Sequence, residues 1–372
     1  MHQFWPLSKT SLAQRLTDTG HRPSGFDYLR LFLSLGVIGS HSVLLTGSDW
    51  IYQTRAWSVL GIVVSMIVPM FFALSGFLVA GSLERSGTLT KFLGLRVLRL
   101  MPALSVEVFI SAIFLGVLFT TLDLSAYFRS DLFHRYFFNL IGHIQYYLPG
   151  VFEQNPNHLV NGQLWTVPFE LVCYVLLAIL AILGAYNNGR WLIIFLIGCY
   201  IFQIANTAFR PNYEFKGAGG TTAVIMFMCG IFFYKFREKI PWSGAIALIC
   251  VVISVKLSVI PNGMRFCGLP VAYFTIYLGL LNPPRNSILL SGDYSYGLYL
   301  YGYPVQQAVV AAAPALREWY WNLLFSVPLA CIIAVGSWWL VERPCLRARF
   351  VLDKFESWRQ SRRAAELSNS SP

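Results

Sequence analysis

A basic residue and a histidine in one long apolar stretch near the start of the chain suggest proton-transfer chemistry. Arg30 and His41 are eleven residues apart, which on an α-helix is three turns plus about 20°, so both side chains lie on one face. Their separation along the helix axis is about 16 Å. A histidine in the middle of a membrane can accept and return a proton near neutral pH, as a general base must. The alternative is a neutral histidine that hydrogen-bonds to a neighbouring helix.

A second basic pair, Arg96 and Arg99, suggests phosphate binding. Arginines at positions i and i+3 share a helix face, and two guanidinium groups side by side suit phosphate. The alternative is an ordinary positive anchor at the inner membrane surface.

Another group of polar residues precedes and begins a later apolar run. Glu170 follows Asn161, Trp165 and Pro168, and is expected about one turn below the outer surface. Its carboxylate could orient a partner such as His41 or bind a hydroxyl, or it could form a structural ion pair with an intramembrane arginine. Asn161 and Trp165 are predicted to bind substrate.

Tyrosine hydroxyls recur within a late apolar run. Tyr296 and Tyr299 could line a polar cavity and bind substrate, or they could have only a structural role. The seven cysteines are scattered singly without metal-ligand spacing, so we predict no metal site and interpret them as packing residues.

The composition requires these side chains to be positioned by membrane helices. Hydrophobic residues make up 56% of the chain and charged residues only 12%, whereas soluble domains carry about 25% charged residues. The pattern predicts an all-α, polytopic transmembrane helical bundle, with ten apolar runs at about 29–46, 57–80, 100–120, 163–184, 191–208, 220–234, 243–260, 266–281, 288–313 and 319–341.

An eleventh, shorter run at 136–152 is interrupted by polar residues and is predicted to be an interfacial or re-entrant helix. With ten spans and both termini cytoplasmic, most of the 28 lysines and arginines fall on inner segments. An eleventh span would put the basic clusters at 235–239 and 343–363 on the outer side. The aromatic residues of the outward loop 121–162 suit a sugar-facing surface, or equally an interfacial aromatic belt.

The net charge of +11 follows this topology rather than forming one patch, so nucleic-acid binding is not expected. We divide the chain into a cytoplasmic N-terminal segment (1–26), a membrane domain (27–344) and a basic cytoplasmic tail (345–372).

Taken in order, these motifs resemble the acyltransferase 3 family of bacterial membrane proteins, which O-acylate extracellular polysaccharides, O-antigens and nodulation factors. The resemblance rests on Arg30 with His41, on Arg96 with Arg99 and Pro102, and on four further motifs: Phe72-Ala-Leu-Ser-Gly-Phe77, Trp165 with Glu170, Ser295-Tyr296 with Tyr299 and Pro304, and Glu342 with Pro344. Two positions depart from the family pattern: Gly302 stands where many relatives have a histidine, and Thr166 replaces a common serine.

The resemblance implies a bacterial inner-membrane enzyme that uses cytoplasmic acyl-CoA, expected to be acetyl-CoA, as co-substrate and has no permanently bound cofactor. The acceptor would be a saccharide hydroxyl, with polysaccharide-assembly proteins as further partners. By carry-over, Arg30 and His41 form the catalytic pair, assisted in our prediction by Glu170, and Arg96 with Arg99 bind the donor. Competing hypotheses are a secondary transporter that uses the intramembrane His, Arg and Glu residues, and a non-catalytic scaffold.

Overall fold

The computed structural model describes residues 10–209 and 219–369, and within those ranges the chain is helical, with no β-strand. The helices are α1 (Leu12–Asp18), α2 (Ser24–Thr46), α3 (Arg55–Ser86), α4 (Leu89–Phe109), α5 (Leu124–Arg129), α6 (Asp131–Tyr136), α7 (Val167–Ile182), α8 (Gly189–Phe209), α9 (Gly220–Lys235), α10 (Gly244–Ser258), α11 (Gly268–Gly279), α12 (Ser295–Ala312), α13 (Trp319–Ser337), α14 (Arg343–Arg347) and α15 (Arg349–Asn369).

Each predicted apolar run contains a helix. Among the described residues, six helical segments are long and apolar enough to cross a membrane: α2, α3, α4, α7, α8 and α13, some with short helical extensions. Helices α9, α10 and α11 are apolar but shorter, and α12 has 18 residues, many of them tyrosine or glutamine. Large apolar side chains such as Leu118 and Leu340 are 72% and 80% exposed, as expected on a lipid-facing surface. The protein is a multi-pass membrane protein.

Helix α3 forms the centre of the bundle by packing closely against α9. Gly76 faces the Phe227 carbonyl and Gly230 faces the Ala73 carbonyl, and a Cβ atom at either glycine would overlap that oxygen. Because both glycines lack a side chain, the two backbones can touch.

Contacts along α12 give the relative directions of the helices that form the site. Arg30 contacts Asp293 just before α12, and Ser42 contacts Gln306 near its end. Leu100 accepts a hydrogen bond from Tyr296, and Ala103 accepts one from Tyr301. Helices α2, α4 and α12 therefore run in the same direction.

Residues 136–152 differ from the predicted interfacial or re-entrant helix. Helical structure ends at Ile141, and most of the chain from there to 161 is irregular. Asn139 holds the start of this irregular stretch, because its side chain donates to the Tyr136 and Gln145 carbonyls and accepts from the Gln145 N–H.

The predicted polar tail contains a helix that packs on the bundle. Lys91 at the start of α4 forms an ion pair with Asp353 of α15 at 2.7 Å. The opposite side of α15 exposes Phe350, Phe355 and Trp358. An apolar side on a basic helix is typical of helices that lie in the membrane interface.

Candidate active site

A cavity of about 160 Å³ lies between α2, α3, α4, α7 and α12. It brings together six of the residues predicted from the sequence: Arg30, Arg96, Arg99, Glu170, Tyr296 and Tyr299. Residues of four helices, as far apart in sequence as Arg30 and Tyr299, thus share one polar space inside the bundle. The cavity has a basic end, near Asp293, and a tyrosine end, near Tyr299.

Two carboxylates form ion pairs with the guanidinium group of Arg99. Its Nη2 lies 2.7 Å from Asp293 Oδ2 and its Nη1 lies 2.9 Å from Glu342 Oε2. Asp293 also pairs with Arg30 at 3.4 Å, and Ser295 donates to its other oxygen. Arg99 therefore does not offer a second free guanidinium beside Arg96, as the spacing suggested.

Arg96 is held more loosely and faces the cavity. Its Nη2 donates to Ser82 Oγ at 3.1 Å, and its guanidinium group lies 5.9 Å from the centre of the Tyr174 ring. Its buried Nε has no hydrogen-bond partner among the described residues. Within this group, Arg96 has the most capacity to bind an incoming anion.

Glu170 lies deeper than the sequence suggested. It lines the same cavity as Arg96 and accepts a short hydrogen bond from Tyr174. The described residues form no ion pair with it, so the predicted structural ion pair is absent. Glu170 reaches this depth because the chain before α7 descends as a buried turn, Gly162–Thr166, and the helix begins inside the bundle.

His41 lies outside this cavity, beyond the tyrosine end. His41 is half-buried. Its ring contacts the Tyr303 ring in an edge-to-face arrangement, with the ring centroids 4.9 Å apart. No hydrogen bond to His41 occurs within the described part of the chain, so the alternative of a histidine bonded between helices is absent. Tyr303 is one helical turn, about 6 Å, beyond Tyr299. Arg30 contacts Asp293 rather than His41.

The two predicted tyrosines fix the neighbouring segments. Tyr296 donates to the Leu100 carbonyl at 3.0 Å and lies under Arg99. The Tyr299 hydroxyl lies 2.6 Å from Thr166 Oγ1 and donates to the Gln163 carbonyl at 2.8 Å. Both rings line the cavity, and their hydroxyls hold its walls together.

Asn161 and Trp165 are not part of the cavity lining. Asn161 is fully buried in a polar cluster with Ser111, Glu107 and Tyr136. Burial raises the pKa of the Tyr136 hydroxyl well above its usual value, so this hydroxyl stays protonated. Trp165 packs against Phe169. Both residues support the segment that leads into α7.

Sequence reasoning assigned no role to Asp293 and placed Glu342 only in a motif with Pro344. Their positions contained a usable signal, because a carboxylate at membrane depth requires a partner. A π-helical turn, Trp338–Glu342, points Glu342 inward so that only 1% of its side chain is exposed. Neither the turn nor the partner, Arg99, can be recognised from spacing.

The bundle and its buried charged cavity define a multi-pass membrane protein with an internal polar site. The chain belongs to the acyltransferase 3 family, whose sequence model is described as an acyltransferase domain and matches residues 24–343. That range includes every helix that lines the cavity. The protein is therefore an enzyme that transfers acyl groups other than aminoacyl groups, which contradicts the hypothesis of a non-catalytic scaffold and favours an enzyme over a secondary transporter.

Two curated relatives align over nearly their whole length. An O-acetyl transferase of Shigella phage Sf6 is 26% identical, covering 87% of this chain and 96% of the relative. Nodulation protein 10 of Rhizobium leguminosarum bv. viciae is also 26% identical, covering 89% and 95%. No solved structure matches the chain.

Proposed function

We propose that the protein transfers an acyl group, acetyl in the first instance, from cytoplasmic acyl-CoA to a hydroxyl of an extracytoplasmic or lipid-linked saccharide. The observation that carries this proposal is the cavity that joins three arginines to Tyr299, one turn from the His41–Tyr303 pair. An anionic donor can enter at the basic end while its acyl group points toward the histidine. The name of the phage relative supports acetyl as the group transferred.

The proposed topology has ten spans in the bacterial inner membrane with both termini in the cytoplasm. Helices α4 and α12 run in the same direction, which requires an odd number of spans between them. Counting α7 to α11 as spans four to eight puts five spans between them, and an additional span at 136–152 would make six. The terminal helices also support one shared side: α1 contacts the basic segment after α9, and α15 contacts the start of α4.

In this proposal the two arginines of α4 have different roles. Arg96 contacts the donor phosphates directly, because its guanidinium has unused donors facing the cavity. Arg99 is a positioning residue that holds Asp293 and Glu342 in place. Arg30, with a single ion-pair partner at 3.4 Å, keeps donors available for the donor molecule.

His41 acts as the general base in the proposed reaction. It removes the proton of the acceptor hydroxyl while the hydroxyl oxygen bonds to the thioester carbonyl carbon. The tetrahedral intermediate then breaks its C–S bond, and the CoA thiolate leaves and takes up the proton from His41. Glu170 lies with the arginines rather than with His41, so we assign it to the donor side instead of to proton transfer from the acceptor.

The proposal is tested with His41→Ala in a strain that lacks the chromosomal copy. Loss of a general base is expected to lower transfer by about 100-fold or more, and the O-acetyl content of the surface polysaccharide measures it. His143→Ala is the matched control, because His143 is an exposed histidine of the outer segment. Normal acetylation with a normally expressed His41→Ala protein would contradict the proposed role of His41.

The donor is tested separately with purified full-length protein in detergent. Acetyl-CoA is expected to bind the His41→Ala protein as tightly as the wild type and the Arg96→Ala protein more weakly. If the wild-type protein does not bind acetyl-CoA, the proposed donor is wrong.

A further inference from the structure

A second cavity, of about 210 Å³, opens near the end of α12 that is remote from Asp293. One wall is formed by Phe119–Thr121 at the end of the helical segment that continues α4. The other is formed by 152–155 and Arg317. We call this cavity the outer cleft.

The outer cleft contains charged and polar groups of both hydrogen-bonding types. Glu153 is exposed and accepts a hydrogen bond from Thr121 at 2.9 Å. Arg317 makes only a long contact, 3.5 Å, to the Val310 carbonyl. Within the described residues, no carboxylate pairs with this arginine. The cleft thus presents a free acceptor and free donors to whatever enters it.

Asn155 fixes the wall of the outer cleft to α12. Its side chain is buried, with 4% of the residue exposed, and the residue belongs to the cleft lining. The Nδ2 donates to Gln307. The Oδ1 is enclosed in the wall rather than open to the cleft, so Asn155 holds the wall in place instead of offering an acceptor to a ligand.

The backbone beside Asn155 has a conformation that is common at functional sites. Phe152 is a non-glycine residue with a positive φ of 61°. It is held there by packing against Phe119, with ring centroids 5.2 Å apart. A conformation this rarely adopted persists only where the surroundings enforce it. Here it turns residues 153–155 toward the cleft.

Side-chain contacts connect the outer cleft to His41. Asn155 donates to Gln307, and Gln307 donates to the Asn157 carbonyl at 2.7 Å. The Tyr303 hydroxyl lies 3.5 Å from Asn157 Oδ1, and the Tyr303 ring contacts His41. The histidine therefore lies between the arginine cavity on one side and the outer cleft on the other.

We propose that the outer cleft binds a hydroxyl-rich saccharide unit of the acceptor, next to the unit that is acylated at His41. Hydroxyl groups both donate and accept hydrogen bonds, so they match Glu153 and Arg317 together. A lipid phosphate would match Arg317 alone, because it is repelled by Glu153. This assignment rests on the proposed function, whose acceptor is a saccharide.

The test uses Glu153→Gln and Arg317→Gln in purified full-length protein. The probe is surface polysaccharide from cells lacking this protein, cut to oligosaccharides by mild acid and stripped of acyl groups by mild alkali. Each substitution is expected to weaken oligosaccharide binding about tenfold, because a charged hydrogen bond is lost. Acetyl-CoA binding is expected to stay unchanged. Asp131→Asn and Arg135→Gln are matched controls, since these residues form an exposed ion pair in the same outer segment.

The outcomes separate the cleft from the chemistry. If both cleft variants bind the oligosaccharide as tightly as the wild type, the assignment of the cleft is overturned. It is also overturned if the wild-type protein does not bind the oligosaccharide. If the substitutions weaken binding to phosphatidylglycerol vesicles but not to the oligosaccharide, the ligand is a lipid phosphate and the assignment is overturned. Cleft variants that lose oligosaccharide binding support the assignment even if the wild-type protein fails to transfer acetyl from acetyl-CoA, in which case only the proposed donor chemistry fails.

Discussion

Arg96 and Arg99 lie on the same side of α4, but their surroundings differ in one decisive respect. Arg99 has two carboxylate partners, and one of them, Glu342, is almost fully buried. Removing one member of a buried ion pair leaves an uncompensated charge and is strongly destabilising. Arg96 has a hydroxyl partner and an aromatic neighbour, and its loss leaves no charge unpaired.

We therefore expect the two alanine substitutions to separate binding from stability. Arg99→Ala should destabilise the protein by about 3 kcal/mol because Glu342 loses its partner, which thermal unfolding in detergent measures. Arg96→Ala should change the unfolding temperature little and weaken acetyl-CoA binding by about tenfold or more. Equal effects of the two substitutions on both measurements would contradict the division of roles.

Asp293 is the carboxylate that two arginines share. In Asp293→Asn the neutral amide cannot offset the positive charge of either guanidinium group, although Arg99 keeps its ion pair with Glu342. We expect acyl transfer to fall about tenfold or more because Arg30 moves from its position. The loss of stability should be limited, because the ion pair between Arg99 and Glu342 remains. Kinetics at saturating acetyl-CoA alongside an unfolding curve would measure both, and unchanged kcat would contradict a positioning role for Asp293.

At the scale of elements, the contact between α3 and α9 leaves no room for side chains at its glycines. Gly76→Ala places a methyl group against the Phe227 carbonyl, so the helices must separate at a cost of about 1–3 kcal/mol. Gly198→Ala on α8 meets nothing within 4 Å and should be neutral or slightly stabilising, because alanine favours helix. Thermal unfolding of the two variants provides the comparison, and equal stability would show that the contact between α3 and α9 is not close-packed.

The sequence predicted these elements to different extents for physical reasons. All ten apolar runs contain helices, since a long apolar run gives a strong local signal. The tail helix α15 was missed because its composition is polar, and its stability comes partly from contacts such as Lys91–Asp353. The pairing of Arg99 with Asp293 and Glu342 joins residues 194 and 243 positions apart, and no local pattern encodes that distance. The depth of Glu170 depends likewise on the irregular segment before α7.

At the scale of the whole molecule, the proposed topology places the two ends of the chain and the outer segment on opposite sides of the membrane. In a variant whose seven native cysteines are replaced by serine, Asp131→Cys should react with a membrane-impermeant maleimide in intact spheroplasts. Ser361→Cys in the tail should react only after lysis. Labelling of both positions in intact spheroplasts would contradict ten spans with cytoplasmic termini.

The segment 155–166 depends on α12 for several of its hydrogen bonds. Gln307 donates to the Asn157 and Leu159 carbonyls, and Tyr299 donates to the Gln163 carbonyl. In return, Gln163 donates to the Leu300 carbonyl. A chimera that takes only the segment or only α12 from a relative would leave carbonyl groups inside the protein without hydrogen-bond donors. The segment and the helix would therefore have to be exchanged together for a chimera to keep these hydrogen bonds.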